Sequence, residues 1–522
     1  MRPATVRPPT PPTPDVAGTG AGIAHAPRRK PATRDPQAIA VKVGVAQGSR
    51  TRRGESPDLG GDAMGDATLD DADRQIVADL YLARTGLDLV EDLVERFGPR
   101  FGGSEQERQA AHYIRERFAR LGADRAETER FTCHGWTRRE TRLTVLAPVE
   151  RDLPCIALPF CPAGEVASTL VYLGDGDPQA YVAHRDELRG AIAMVTTAQP
   201  RFFPRPMHRC EKLGRALAEG AVGLIWMRGE PGGLPETGSA RFGHPCEVPA
   251  IGVSYETGQE LVRLSRRGPV RVRITSTNEN HPVESFNVVA EFRGQQQPDE
   301  IVLLGAHYDG HDISQAAMDN ATGVALMLEV ARALGPHRAR LRRTVRFVAF
   351  AQEEMGLLGA HAYARRHRDE GLRFMLNLDG AGRGLHATFQ LQGWPEAIRW
   401  FRGVFDEMHE PDVVVGDQIG LYSDMFPFAV RGIPAATWSS QSAPPSPAAI
   451  RGYGHTAMDS LDKVAARPLQ LEAIRVARLV LRLATVDTIP LARKAPGEMA
   501  QALAALGLDE VLRYEGRPLP VD

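Results

Sequence analysis

Histidine and carboxylate residues follow the ends of several apolar segments in the C-terminal half of this chain. His307 ends the run "EIVLLGAH", Asp309 comes two residues later, and Asp319 precedes "NATG" and a helical pattern, "VALMLEVARAL". Side chains two positions apart on a strand leave the same face, which suits an imidazole oriented by a carboxylate. The other members of the set are Glu353 and Glu354 after "FVAFAQ", Asp379 in "MLNLDG" and His455 in "GYGHTAMD".

A metal pair would explain why so many acids gather where the chain enters a core. Ligands of open α/β sheets bind beyond the carboxyl ends of strands, which is where three of these segments end. Ionised carboxylates buried together repel one another unless cations neutralise them. The combination predicts a two-metal centre, although a lone histidine or acid is more often structural. The structural interpretation is kept for the histidines and acid outside the set: His311, Asp312, His337, His361, His367, His386 and His409.

Apolar runs that alternate with helical patterns must position this set. After Asn280 the runs "SFNVVAEF", "EIVLLGAH", "TVRFVAFA", "FMLNLD" and "AATWSS" predict buried strands of an α/β sheet. Upstream, apolar residues at 76–97 are spaced three and four apart, which predicts a helix, and Ser104 with Glu107 forms a capping box. Between these regions, short strands rich in Pro and Gly indicate a separate β-rich module.

These patterns divide the chain into five parts. Residues 1–65 are rich in Pro and Arg and lack a hydrophobic period, which predicts a disordered tail. The other parts are the N-terminal portion of the main domain at 66–148, an inserted module at 149–279, the main α/β domain at 280–490 and a C-terminal tail at 491–522.

The composition is that of an ordinary globular protein. Of the 522 residues, 43% are hydrophobic and 25% are charged, and the formal net charge is −2. This balance gives no electrostatic case for nucleic acid or a membrane as partner. The chain has no apolar run of the roughly 18 residues that a membrane span needs, and its start lacks the apolar segment of a signal peptide. The cysteines show no CxxC spacing, so a cytoplasmic location is expected, with secretion as the alternative.

Several segments resemble the di-zinc aminopeptidases of the bacterial leucyl aminopeptidase type, whose relatives include glutamate carboxypeptidase, glutaminyl cyclase and the transferrin receptor. These segments are "AHYDG…AMDNATGVALMLEVARAL", "FVAFAQEEMGLLGA", "LNLDG" and "GHTAMDSLDK". The resemblance implies a zinc exopeptidase fold, which is α/β with a mixed, mainly parallel sheet flanked by helices. The insertion, with "GAIAMVTT" and "VPAIGVSYETGQEL", resembles the small β-rich protease-associated domain.

The resemblance also implies roles for the set. The implied metal ligands are His307 and Asp379 for one Zn²⁺, Glu354 and His455 for the other, and Asp319 as the bridge between them. Co²⁺ or Mn²⁺ are alternatives to the two zinc ions. Glu353 would be the general base, and Asp309 would orient His307. The peptide bond between Asp319 and Asn320 is expected to be cis.

Candidate substrate-binding residues come from two further segments. "YSDMFPF" keeps the Ser-Asp and Pro-Phe of a family pocket motif, which makes Tyr422 and Asp424 candidates, although Met425 replaces a frequent histidine. Relatives often carry tyrosine just before the last ligand histidine; here Tyr453 stands one position earlier. Trp438 is a further candidate. Arg383 would meet a substrate carboxylate only if it does not lie on the surface, and the surface position is the favoured interpretation.

The predicted function is a metal-dependent exopeptidase that removes N-terminal residues from a peptide or aminoacyl substrate, as a monomer or homodimer. A carboxypeptidase, an amino-acid amidase, a glutaminyl cyclase and a non-catalytic binding protein of the same fold are the alternatives. An intact His307 argues against the one-zinc cyclase, and the complete ligand set argues against a binding protein. The chain has no HExxH, GxSxG or P-loop motif. The insertion would either cover the cleft or mediate dimer contacts.

Overall fold

The computed structural model describes residues 63–441, 453–517 and 519. Residues 1–62, nearly all of the tail predicted to be disordered, lie outside the described residues, and a helix begins at Ala63. In the described part of the chain, no helix combines the length and the apolar character needed to cross a membrane.

The strands form two sheets of eight strands each. In chain order the strands are β1 (Arg125–Thr137), β2 (Thr141–Ala147), β3 (Arg151–Leu153), β4 (Ile156–Ala157), β5 (Gly164–Tyr172), β6 (Ile192–Thr196), β7 (Gly223–Met227), β8 (Ala250–Val253), β9 (Arg271–Ser276), β10 (Glu279–Phe292), β11 (Gln297–His307), β12 (Arg343–Phe350), β13 (Gly371–Leu378), β14 (His386–Leu391), β15 (Val414–Asp417) and β16 (Ala435–Gln441).

Helices connect and cover these strands. In chain order the helices are α1 (Ala63–Leu82), α2 (Thr85–Phe97), α3 (Glu105–Arg120), α4 (Pro178–Ala183), α5 (Arg185–Leu188), α6 (Arg209–Ala218), α7 (Tyr255–Ser265), α8 (Thr322–Leu334), α9 (Leu358–Arg366), α10 (Ile398–Glu407), α11 (Phe426–Ala429), α12 (Ala466–Thr485), α13 (Pro496–Ala505) and α14 (Leu508–Glu515). Short 3₁₀ turns lie at Gly335–Arg340, Pro395–Ala397 and Leu461–Lys463.

The first sheet is mixed, with a parallel centre. Its order is β1-β10-β12-β11-β13-β16-β14-β15. Strands β12, β11, β13 and β16 run parallel to one another, and β14 is parallel to β15. The pairs β1–β10, β10–β12 and β14–β16 are antiparallel. This arrangement confirms the predicted fold of a mixed, mainly parallel sheet flanked by helices. The short strands β14 and β15 are additions that the sequence patterns did not predict.

Continuous apolar runs explain the parallel centre. Every residue of β12 is buried, and so are residues 301–307 of β11 and 374–378 of β13. Parallel strands are joined by helices that cover both faces of the sheet, so both faces of each strand must be apolar. Helix α8, which packs against α2 and α12, is itself buried along nearly its whole length. The resulting core holds the ends of β11, β12 and β13 in fixed register.

The single helix predicted across 76–97 is divided in two. Helix α1 ends at Leu82 and α2 begins at Thr85, whose hydroxyl donates a 2.7 Å hydrogen bond to Oε1 of Glu329 on α8. Both helices pack on the same core, and this shared contact explains why their apolar spacing resembles one continuous stripe. The predicted cap of α3 is present, because Ser104 Oγ accepts a 3.1 Å hydrogen bond from the Glu107 N–H.

The second sheet belongs to the insertion. Its order is β3-β2-β9-β5-β6-β7-β8-β4, and with α4 to α7 it forms what we call the inserted module, residues 141–276. Strand β2 lies before the boundary predicted at 149, but it pairs antiparallel with β9 and therefore belongs to this sheet. The chain thus enters and leaves the module through neighbouring antiparallel strands.

The inserted module also contacts the C-terminal helices. Helix α14 packs against α6 of the module, where the Arg215 guanidinium lies 4.3 Å from the ring centroid of Tyr514. Gly214 permits this close approach, since a Cβ at that position would lie 2.0 Å from the Tyr514 carbonyl oxygen. The segment predicted as a C-terminal tail is therefore packed structure as far as Arg517.

Candidate metal centre

Candidate ligands lie at one edge of the first sheet, where three neighbouring parallel strands end. His307 is the last residue of β11, Glu353 and Glu354 follow β12, and Asp379 follows β13. Because β12, β11 and β13 are adjacent and parallel, their carboxyl ends meet at the same edge. Asp319 reaches this edge from the irregular turn before α8, where its peptide bond to Asn320 is cis, as predicted.

The first group of ligand-type side chains contains His307, Asp319 and Asp379. His307 Nε2 lies 3.4 Å from Asp319 Oδ1 and 4.0 Å from Asp379 Oδ1. His307 Nε2 is buried and has no hydrogen-bond partner among the described residues. An unpaired imidazole nitrogen facing two carboxylate oxygens has the donor set of a divalent cation site.

The second group contains Glu354, His455 and an additional histidine, His311. His455 Nε2 lies 3.1 Å from Glu354 Oε2 and 3.7 Å from Asp319 Oδ2. The two oxygens of Asp319 thus face different groups, as a carboxylate shared between two cations requires. The five residues that the sequence singled out as ligands lie together, and their role as ligands stays a prediction.

Hydrogen bonds to the backbone and to side chains fix the orientation of several members. Asp309 accepts hydrogen bonds from the N–H groups of Glu353 (3.0 Å) and Glu354 (3.2 Å), and its Oδ1 lies 3.5 Å from His307 Nδ1. One buried carboxylate therefore orients residues from two strand ends. Ser423 donates a 2.5 Å hydrogen bond to Asp379 Oδ2, and Asp459 accepts from the Asp319 N–H at 3.1 Å.

His455 is held by the inserted module, which the sequence did not predict. The N–H of Thr237 donates a 2.9 Å hydrogen bond to the His455 carbonyl. The Thr237 carbonyl oxygen in turn lies 3.2 Å from His455 Nδ1. A carbonyl at Nδ1 favours the tautomer in which Nδ1 carries the proton and Nε2 can bind a cation. This contact is made by main-chain atoms, so no side-chain pattern in the sequence could reveal it.

Arg100 is a second functional position that the sequence did not indicate. Its buried guanidinium donates hydrogen bonds to the carbonyl oxygens of Tyr308 (2.7 Å) and Ala316 (2.8 Å), on either side of the 309–315 loop. Ala316 has a φ of 50°, a conformation that L residues rarely adopt. We infer that Arg100 stabilises the loop between the first two metal-site residues.

Burial of several acids at one edge shifts their ionisation. Burial raises the pKa of Glu353 well above its usual range, and the charges of Glu354 and Asp379 add to the increase. Burial also raises the pKa of Asp424, neither of whose carboxylate oxygens has a hydrogen-bond partner among the described residues. A cation bound among these carboxylates would offset the cost of ionising them.

The metal-site residues line a cleft of about 270 Å³ whose other wall belongs to the inserted module. The main domain contributes Asp319, Glu353, Glu354, Asp379, Arg383, Tyr422 and His455, and the module contributes Gln199, Pro206, Met207, His208, Arg209, Ser239 and Phe242. This position corresponds to one of the two roles considered for the insertion, that of covering the cleft. The structure describes a single chain and leaves the dimer contact as a prediction.

The three predicted substrate-binding residues lie in different places. Tyr422 lines the cleft, stacks on His208 with ring centroids 4.3 Å apart and donates a 3.0 Å hydrogen bond to Glu515 Oε1. Asp424 is fully buried beneath the metal-site residues. Tyr453 packs under the Lys463 ammonium, 5.0 Å from its ring centroid, and is not among the described residues that line the cleft.

Trp438 and Arg383 were weaker candidates, and the structure separates them. The Trp438 indole is buried and donates a hydrogen bond to Glu472 Oε2 at 3.0 Å, which is a structural role. Arg383, for which a surface position was favoured, lines the cleft instead, with its guanidinium 3.7 Å from Asp319 Oδ2. Because it is the cationic side chain nearest the bridging carboxylate, Arg383 is a candidate contact for substrate.

The residues present fit zinc. Zinc binds imidazole nitrogens and carboxylate oxygens, usually with three protein ligands at a catalytic site, and each group here supplies both donor types. Manganese and cobalt also accept this donor set.

The domain that surrounds the site is similar to known peptidases. Residues 287–480 match the sequence model of Peptidase family M28. The chain is 24% identical to carboxypeptidase Q of Mus musculus over 66% of this chain and 75% of that protein. It is 25% identical to aminopeptidase YwaD of Bacillus subtilis over 75% of this chain and 82% of that protein.

A solved structure shows the same fold. The structure of BSAP, a zinc aminopeptidase from Bacillus subtilis, superposes with a TM-score of 0.60 at 22% identity and covers 79% of this chain and 97% of that one. Identity at this level supports a shared architecture.

Proposed function

We propose that this metallopeptidase, whose residues 287–480 match the model of Peptidase family M28, is a di-zinc aminopeptidase that releases N-terminal residues from short peptides. The supporting observation is that two groups of ligand-type side chains, His307 with Asp379 and Glu354 with His455, share Asp319 at the base of one cleft. Among the residues that the structure describes, His307 Nε2 has no hydrogen-bond partner.

The chain's own residues supply positioning and proton transfer. When bound, two zinc ions would polarise the scissile carbonyl and lower the pKa of a water molecule in the cleft. Glu353 lines that cleft, and Asp309 fixes its backbone, so its carboxylate is placed to take the water's proton and pass it to the leaving amine. Asp309 also faces His307 Nδ1 and keeps the imidazole in one orientation.

The shape and charge of the cleft support an exopeptidase acting on amino termini. The wall formed by the inserted module would limit how far a peptide can extend past the metal-site residues. With two divalent ions on the ligand groups, the same space would offer a neutral substrate amino terminus a binding position. One of the similar proteins, aminopeptidase YwaD, is named for the same activity.

Metal content and turnover test the proposal together. Protein reconstituted with zinc should hold close to two ions per chain and hydrolyse aminoacyl-arylamides. One ion per chain without hydrolysis would indicate a cyclase, and no bound ion would indicate a binding protein. Two ions without hydrolysis of any arylamide, with zinc, cobalt or manganese, would contradict the aminopeptidase proposal.

Arg383 favours a carboxypeptidase as the second candidate. Its guanidinium lies in the cleft, where it could pair with a substrate carboxylate, and carboxypeptidase Q is among the similar proteins. If the enzyme is a carboxypeptidase, Arg383→Met should reduce kcat/KM for peptides with a free carboxylate and spare their C-terminal amides. An aminopeptidase should hydrolyse free-carboxylate and amidated peptides alike and reject N-acetylated ones.

A further inference from the structure

We propose that His311 is a direct ligand of the metal ion held by Glu354 and His455, which makes the metal pair unsymmetrical. The proposal deepens the di-zinc function proposed above and rests on it. His311 was assigned no chemistry from the sequence, because it lies four residues after His307 and outside every segment that resembles a ligand motif.

The positions of three donor atoms carry the inference. His311 Nε2 lies 2.9 Å from Glu354 Oε2, the same oxygen that lies 3.1 Å from His455 Nε2. The two imidazole rings meet edge to face, with centroids 4.5 Å apart and an interplanar angle of 70°. Ligand atoms of His311, Glu354 and His455 all lie within 4.8 Å of one another, which is a separation that one ion can span.

The His311 ring lies beside Glu354 and His455 and makes no well-aligned hydrogen bond within the described residues. It is 1% exposed, and neither of its nitrogens meets the geometry of a hydrogen bond, even to the Glu354 oxygen 2.9 Å away. Close but misaligned, this nitrogen and oxygen can act as two ligands of one cation. An imidazole buried without a well-aligned hydrogen bond is destabilising, whereas a bound cation would satisfy it.

Contacts within the chain hold the loop that carries His311. The Arg138 guanidinium forms a bidentate pair with Asp312, with both N–O distances at 2.7 Å. The Gly310 N–H donates a 3.2 Å hydrogen bond to the Arg100 carbonyl. A held loop lowers the entropy lost when the imidazole binds a cation, so the ligand is preorganised.

This assignment gives the two metal positions different numbers of protein ligands. One would have His307, Asp379 and Asp319, and the other would have Glu354, His455, Asp319 and His311. Sites with four protein ligands are closed and retain their metal, whereas sites with three leave a position for water or substrate. The ion at the His311 position should therefore bind more tightly, and substrate should enter at the His307 position.

Metal binding by the His311→Gln variant tests the proposal. Glutamine keeps the volume and a hydrogen-bond donor but is a much poorer ligand. In competition with a chelator, wild-type protein should retain one ion at a concentration that removes the other, and H311Q should bind that tighter ion at least about 100-fold more weakly, which is beyond the usual effect of an indirect contact. Co²⁺-loaded H311Q should also show an altered d–d absorption spectrum, which reports ligand loss.

The outcomes separate this inference from the proposed function. If H311Q retains wild-type affinity and an unchanged cobalt spectrum, His311 is not a ligand and the inference is wrong, while the di-zinc proposal stands. If wild-type protein binds no divalent ion, the proposed function itself fails. The matched control is His337→Gln, a buried histidine in the Gly335–Arg340 turn, which should change neither property. Thermal unfolding in the presence of metal should confirm that both variants fold.

Discussion

The metal centre and the inserted module differ in how their buried charged groups are paired. In the module, the buried carboxylate of Glu211 pairs with Arg205 at 2.7 Å and with Arg215 at 2.9 Å. Lys212 is likewise buried, and its ammonium donates to the carbonyl oxygens of Thr196 (2.9 Å) and Ala198 (2.7 Å). At the metal centre, His307 Nε2 and both oxygens of Asp424 lack a hydrogen-bond partner among the described residues.

The difference separates buried charges that pair within the chain from those that require a ligand. A buried charge that pairs within the chain contributes to folding and is costly to remove. A group of buried donors that the chain leaves unpaired is complementary to a ligand, here a cation. Substitutions at the metal centre should therefore change activity or metal binding, and substitutions in the module should change stability.

The largest expected effect is on catalysis at the metal centre. Glu353→Gln should reduce kcat by about 10²- to 10⁴-fold, because general acid–base catalysis contributes that much. Metal content measured on the same sample should stay at the wild-type value, since Glu353 is not a predicted ligand. Glu396→Gln, an exposed position, is the control. Retention of full activity would mean that another group accepts the proton.

The next effect should be on stability in the module. Glu211→Ala should lower the free energy of unfolding by about 3–5 kcal/mol, because it leaves two arginines without their buried partner. Denaturant unfolding measures the loss. Glu219→Ala, which removes a surface ion pair with Arg185, should cost much less than Glu211→Ala. If Glu211→Ala lost metal as readily as it lost stability, the proposed division of roles would be wrong.

Zinc should stabilise the protein through the metal centre alone. At a free concentration 100 times Kd, one bound ion should raise the free energy of unfolding by about 2.7 kcal/mol. Differential scanning calorimetry with and without zinc measures this gain. The module variant Glu211→Gln should be less stable than wild type without zinc but should gain the same free energy of unfolding when zinc binds. His307→Asn should gain less. An equal gain in His307→Asn would place the stabilising ion elsewhere.

The smallest effect should be a pH-dependent change in stability at His367, a buried residue of the main domain whose charge is paired within the chain. His367 lies between Glu129 (2.9 Å) and Glu370 (2.6 Å), and although burial lowers its pKa, hydrogen bonds to these carboxylates raise it overall. Because the folded pKa is raised, the stabilisation is fully present below the unfolded value of about 6.5 and is lost as pH rises through the folded pKa.

His367→Gln should therefore be less stable than wild type at low pH, on the order of 1 kcal/mol as for a charged hydrogen bond. The difference should narrow as pH rises, which unfolding measured across the pH range would show. A gap that stayed constant would indicate a packing effect instead. Narrowing of the gap would show that a buried charge contributes to stability when it pairs within the chain, whichever domain it lies in.

The sequence predicted the elements with strong local patterns. Unbroken apolar runs predicted β11, β12 and β13, and the residues at their ends have the donor types of a metal site. The break between α1 and α2 was not predictable, because the apolar stripe continues in phase across it. The assignment of β2 to the second sheet depends on its distant partner β9, and local composition carries no such information.

The site was less predictable than the fold where its geometry depends on distant contacts. His311 resembles any loop histidine in the sequence, and only the folded loop places it beside Glu354. Arg383 follows a glycine-rich turn that indicates an exposed position, yet the turn directs it into the cleft. Both residues matter through neighbours far away in the chain.

The two hydrogen bonds between Thr237 and His455 bear on how such an enzyme could be shortened or recombined. A chain without its insertion would keep every side chain of the proposed metal site, but His455 would lose its two hydrogen bonds to Thr237. The insertion is therefore part of the site. An exchange of insertions between homologous enzymes would have to keep the segment around Thr237 in the same position relative to His455.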